Sequence, residues 1–143
     1  MNRRQAREAA LCMIFDYSFH SDDGDGNERL ELYLDNFQDK DEKNISEELR
    51  SDEYFTKVYF GVISNLDEFD EIIEKHSKKW SSKRISRVSR SIMRLALYEI
   101  KYMDDIPAQV SINEAVELAK KFDADESYSF VNGILGAIVR GEE

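Results

Sequence analysis

The feature that most restricts the fold is a near-absence of backbone punctuation. The chain has one proline, Pro107, and six glycines in 143 residues, and no segment alternates polar and apolar residues over strand length. Such a chain defaults to helices, so the expected fold is all-α, with about seven helices packed as a bundle that the acidic loop near residue 40 could separate into two. The first helix is predicted from about Arg3 to Phe19, with Ala6, Ala10, Met13, Ile14 and Tyr17 at helical spacing. "HSDDGDGN" ends it with glycines and acids. "ERLELYLDNF" reads as a short second helix and "QDKDEKNISEELR" as a polar loop. A third helix is expected over Asp52–Asn65, carrying a stripe of Phe55, Val58, Tyr59 and Val62, and a fourth over about Glu68–Trp80.

In the fifth helix, Ile85, Val88, Ile92, Leu95 and Ala96 share one stripe, while Lys83, Arg87, Arg90, Arg94 and Lys101 fall on its neighbour. Pro107 closes that segment. Ser111 with Glu114, and Asp123 with Glu126, have the spacing of capping boxes that would open the last two helices, about Ile112–Phe122 and up to Arg140. Residues 1–143 read as a single domain, with N-terminal and C-terminal sub-bundles meeting near residues 38–82.

Charge is segregated along this scaffold. The whole chain carries 30 acidic and 20 basic residues, net −10, which argues against nucleic acid as a partner because phosphate is neutralised by lysine and arginine. The average conceals its parts. Residues 21–56 hold 13 acids and four bases, net −9, whereas residues 74–102 hold nine bases and two acids, net +7. Arg3, Arg4 and Arg7 add a basic cluster on the first two turns of the first helix. There the long guanidinium forks can reach phosphates or stack on bases, although cations at that end oppose the helix dipole. Because these arginines lie ahead of the apolar stripe, reversing their charge is expected to remove no buried surface.

Other chemistries find little support. His20 and His76 lie on different helices without triad partners, and no HExxH, GxSxG or phosphate-cradling glycine loop is present. No catalytic residue, metal site or cofactor is expected. The stretch starting at Asp23 looks briefly like a calcium loop, but Glu28 stands where the turn needs glycine and Leu34 where a bidentate glutamate is required. Cys12, the lone cysteine, is read as a core residue. No apolar run approaches the roughly 20 residues of a spanning helix, and no apolar leader precedes the first helix, so a cytoplasmic setting is expected.

Four ordered motifs then carry a resemblance: "RRQAREAAL" at the start, and "RSIMRLALYEI", "DIPAQVSINEAVELAKKF" and "SFVNGIL" in the last third. Together they resemble the NusB family of bacterial transcription antitermination factors, over nearly the whole chain and least across residues 21–56. The resemblance implies a non-catalytic protein of two helical bundles. It implies binding of boxA-type single-stranded RNA together with NusE, a ribosomal protein, and action on the elongating RNA polymerase antitermination complex, notably at ribosomal RNA operons. Self-association is left open.

The resemblance also implies site residues. Arg3, Arg4 and Arg7 match the family's arginine-rich RNA-binding segment, and Lys78 and Lys79 match its basic surface. Phe130 is either a core residue or an aromatic surface for a base or for the partner, and the resemblance, in which the corresponding phenylalanine lies at the RNA and NusE surface, implies a place among the RNA-binding residues. Phe15, Ser89 and Glu126 stand where contact with NusE is implied, Phe15 replacing a frequent tyrosine and Ser89 a frequent acid. Arg90 and Arg94, beside the apolar stripe, read instead as structural ion-pair partners that hold the two bundles together. The alternative function is a helical protein-interaction module that has kept the fold and lost RNA. An enzyme domain, such as the helical segment fused to some RNA methyltransferases, is disfavoured by an end at Glu143.

Overall fold

The computed structural model describes residues 1–20, 24–36, 40–78 and 85–141. Among them lie eight α-helices: α1 (Arg3–Tyr17), α2 (Asn27–Asp35), α3 (Lys40–Ser51), α4 (Glu53–Ser64), α5 (Leu66–His76), α6 (Arg87–Tyr102), α7 (Ala108–Phe122) and α8 (Ser127–Arg140). They form two compact units, Met1–Ser64 and Asn65–Glu143. No helix among the described residues is long and apolar enough to cross a membrane.

In the first unit α1 packs chiefly on α4. Ala6, Ala9 and Ala10 keep one face of α1 small, while Met13, Ile14, Phe55, Val58, Tyr59 and Val62 fill the space between the helices. The eighth helix is α3, which corrects the expected loop over residues 38–50. Its sequence is dominated by strong helix formers, and it needs only one anchor. Leu49 is fully buried, and Arg50 makes a two-pronged ion pair to Glu31 of α2 at 3.0 and 2.8 Å. Asp52 Oδ1 then accepts the Phe55 N–H at 2.8 Å, capping the start of α4.

The turn before α2 is held from both sides. Tyr17 Oη donates to the Gly24 carbonyl at 2.9 Å and Tyr59 Oη to the Gly26 carbonyl at 2.8 Å. Burial, then the Asp16 carboxylate, pushes the Tyr59 hydroxyl pKa up, so it remains a donor. Asp25 accepts from the Asn27 backbone and side chain at 3.1 and 2.9 Å. Asp23 lies outside the described residues. Cys12 corrects another expectation: it sits on the exposed side of α1.

The second unit is organised around α6, whose residues Ser91–Glu99 are buried on every face. A helix buried all round must satisfy its polar side chains locally. Arg94 donates to Asp70 through Nε and Nη2, both at 2.8 Å, and Glu99 accepts the Ser111 hydroxyl at 2.8 Å. Ser91 Oγ donates to the Arg87 carbonyl at 2.9 Å. Among the described residues no buried side-chain N or O lacks a partner.

Ser111 therefore does not cap α7, as its spacing with Glu114 suggested. The helix opens earlier, after Pro107, whose φ of −58° suits a helix start and whose missing N–H costs nothing there. Asp123 does not cap α8 either. Glu126 occupies the N-cap position and makes no side-chain capping bond.

Candidate nucleic-acid interface

The candidate residues divide between the two units. In the first, α1 opens on a complete capping box: Asn2 Oδ1 accepts the Gln5 N–H at 2.8 Å, and the Asn2 N–H donates to Gln5 Oε1 at 2.9 Å. This reciprocal pair holds the first turn in register without an acid, leaving the positive end of the helix to three arginines. Arg3 and Arg4 are exposed. Arg7 is only 4% exposed, which corrects the expectation that no buried surface lies here.

The cause is Tyr54, on the first turn of α4. Arg3 and Arg7 stand four residues apart, hence on one face of α1, and both guanidinium groups lie over the Tyr54 ring, at 4.5 and 5.4 Å from its centroid. Sequence reasoning passed over Tyr54. The i, i+4 spacing of the two arginines was a readable sign that they share a neighbour, but the identity of that neighbour depended on how α1 meets α4. Further along α1, Phe15 is half-buried and meets the exposed Phe19 edge to face at 5.1 Å.

In the second unit Lys78 is exposed just beyond the end of α5, and Lys79 lies outside the described residues. Arg90 and Arg94 are ion-paired, as their place beside the apolar stripe suggested. Arg90 meets Glu74 at 2.6 Å and Asp70 at 3.5 Å, and Arg94 takes the same Asp70. Both pairs join α6 to α5 within one unit, which corrects the expectation that they tie the two bundles together. The basic stretch that stands out in the sequence is thus partly neutralised by α5.

Phe130, on the first turn of α8, is 6% exposed and belongs to the core of its unit, while Glu126 is exposed at the N-cap. Ser89 is 2% exposed. Its hydroxyl donates to Asp123 Oδ2, which also accepts the Ser86 hydroxyl at 2.8 Å, and Asp123 Oδ1 accepts the Ala124 N–H at 2.8 Å. The Asp123 carboxylate, absent from the sequence-derived candidates, thereby links the start of α6 to the turn that leads into α8.

Burial works to raise the Asp123 pKa, but the bonds from Ser89, the Ala124 N–H, Ser86 and Ser127 outweigh it and hold the pKa below the usual carboxylate value. A depressed folded pKa contributes stability above the unfolded value, near 3.9, and that contribution is lost as pH falls through the folded one. Asp123→Asn should accordingly melt earlier than wild type at neutral pH. At half exposure the difference should be about 1 kcal/mol, and the two melting curves should converge below about pH 4. A gap independent of pH would show that the charge is not the source.

Residues 4–140 match the NusB family. The transcription antitermination protein NusB of Acetivibrio thermocellus is 44% identical over 142 residues, covering 98% of this chain and 90% of that protein. Among solved structures, NusB of T. maritima superposes with a TM-score of 0.75 at 35% identity, covering 99% of this chain and 93% of that one. A structure of antitermination factors NusB and NusE in complex with dsRNA shares the fold, with a TM-score of 0.69 at 23% identity over 99% of both chains. A family match over nearly the full length, joined to relatives this similar, means that the chain belongs to the NusB family.

Proposed function

We propose that the protein is a non-catalytic transcription antitermination factor that binds boxA-type single-stranded RNA together with the ribosomal protein NusE. In this reading it acts on elongating RNA polymerase, notably at ribosomal RNA operons. The observation that carries the proposal is the exposed pair Arg3 and Arg4 on a capped helix start free of acids, in a NusB-family chain whose net charge is −10. Local positive charge at a helix N-terminus suits a phosphate backbone. Relatives named as transcription antitermination proteins support the role, and a complex of NusB with NusE and dsRNA supports the class of partner.

Arg3, Arg4, Lys78 and Lys79 would neutralise phosphates in this reading. Arg7 and Phe130, being buried, would act from beneath the surface. Phe15 and Glu126 would face NusE, and the buried Ser89, bonded to Asp123, would shape that contact from beneath. The alternative, an interaction module of the same fold without RNA affinity, draws on one observation: burial of Arg7 and pairing of Arg90 and Arg94 withdraw three cations from any ligand.

Titration of labelled boxA-type RNA, with and without NusE, separates the two. The expected result is weak binding by the protein alone, since local positive charge on an acidic chain gives modest affinity, and tighter binding with NusE. Equal affinity for matched and scrambled RNA under both conditions would favour the interaction module.

A further inference from the structure

Arginine is a costly ligand for phosphate when it is free to move. Its long side chain must be immobilised on binding, and that ordering is subtracted from affinity. At the first turn of α1 the structure supplies a means of ordering it beforehand. The Tyr54 ring belongs to the core of the first unit, fixed within the α1–α4 packing. Over that ring lie both the buried Arg7 guanidinium and the exposed Arg3 guanidinium, Arg3 being the closer at 4.5 Å. A planar cation over the negative face of a fixed aromatic ring loses rotameric freedom without losing its charge, and it keeps N–H donors with which to meet an anion.

We propose that Tyr54 is a positioning residue for RNA binding. Its ring holds the Arg3 guanidinium in place before the ligand arrives, with Arg7 as the inner cation of the same stack. The inference rests on the RNA-binding reading above, and it assigns a role to a residue that need not touch RNA.

The test compares Tyr54→Phe, which keeps the ring, with Tyr54→Leu, which removes it, using a labelled boxA-type single-stranded RNA and the full chain at a temperature well below both melting points. Tyr54→Phe should bind as wild type does, and Tyr54→Leu about two- to tenfold more weakly, the range that immobilising one long side chain on binding costs. In an Arg3→Gln background, Tyr54→Leu should change affinity much less, because the group it orders is already gone. A purely structural role for Tyr54 would lower affinity equally in both backgrounds, and that result would overturn the proposal. So would wild-type affinity in Tyr54→Leu.

A second readout needs no RNA. The Arg3 side-chain N–H resonance should be shifted upfield by the ring current in wild type and Tyr54→Phe, and should lose that shift in Tyr54→Leu. An unshifted Arg3 resonance in wild type would overturn the positioning role even if RNA binds. Absence of RNA binding by wild type, with the shift present, would instead remove the RNA-binding reading and with it the role proposed for the stack.

Discussion

Gly26→Ala is expected to cost about 2–5 kcal/mol, a large part of the 5–15 kcal/mol by which a domain is typically stable. Two effects add. Gly26 has φ +88°, a left-handed conformation that costs an L-residue about 1–2 kcal/mol. A Cβ there would also run into the half-buried Ile63 Cδ1 and stand 2.8 Å from the buried Tyr59 Oη, both of α4, and forced overpacking of this kind costs about 1–3 kcal/mol. The same atom would press on the hydroxyl that bonds the Gly26 carbonyl, placing that buried bond at risk as well.

Gly24 provides the control. Its φ is +99°, but no described residue comes within 4 Å of its would-be Cβ, so Gly24→Ala should cost only the backbone part, about 1–2 kcal/mol. Urea unfolding would show the denaturation midpoint falling for both variants and much further for Gly26→Ala, at unchanged m-value. Equal losses would mean that contact with α4 contributes nothing at Gly26.

The contrast between these two glycines shows how far the sequence could be read. "DGDGN" marks a turn by composition, and nothing in it tells the glycine against α4 from the one facing solvent. The same limit applies to helices. The stripe Ile92, Leu95 and Ala96 was legible because periodicity reports a buried face. It could not report that Arg94 and Glu99 are buried too, since their partners come from other elements, Asp70 of α5 and Ser111 of α7. In α3 the reverse happened: a polar segment read as a loop because a single apolar residue, Leu49, is enough to dock a helix built of strong formers.

Capping spacings misled for a similar reason. Ser111 and Asp123 sit where a helix start would use them, yet tertiary partners, Glu99 for one and Ser86 with Ser89 for the other, took both side chains. The family was legible from four ordered motifs. Which of its arginines stay at the surface was not.

Charge reversal should therefore divide the N-terminal arginines instead of treating them as one cluster. Arg3 and Arg4 are exposed, so Arg3→Glu with Arg4→Glu removes little buried surface, and acids on the first turn interact favourably with the helix dipole. That double variant should keep its fold, apart from the modest loss of the Arg3 contact with Tyr54. It should bind RNA more weakly, with the slope of log affinity against log salt shallower by about 2, roughly one unit for each phosphate no longer neutralised. Arg7→Glu should behave in the opposite way. At 4% exposure the new carboxylate would be buried against the face of Tyr54, whose quadrupole attracts cations and repels anions. Reversal of a buried, partnered charge costs about 3–5 kcal/mol, so this single variant should melt far earlier than the double one. Its apparent RNA affinity should fall with the unfolded fraction and, in the molecules that stay folded, with the loss of the inner cation of the Tyr54 stack. The decisive comparison is melting temperature against salt slope for the two variants. If Arg7→Glu melts like wild type, its guanidinium is not part of the α1–α4 packing; if the double variant keeps the wild-type slope, phosphates are met by other residues.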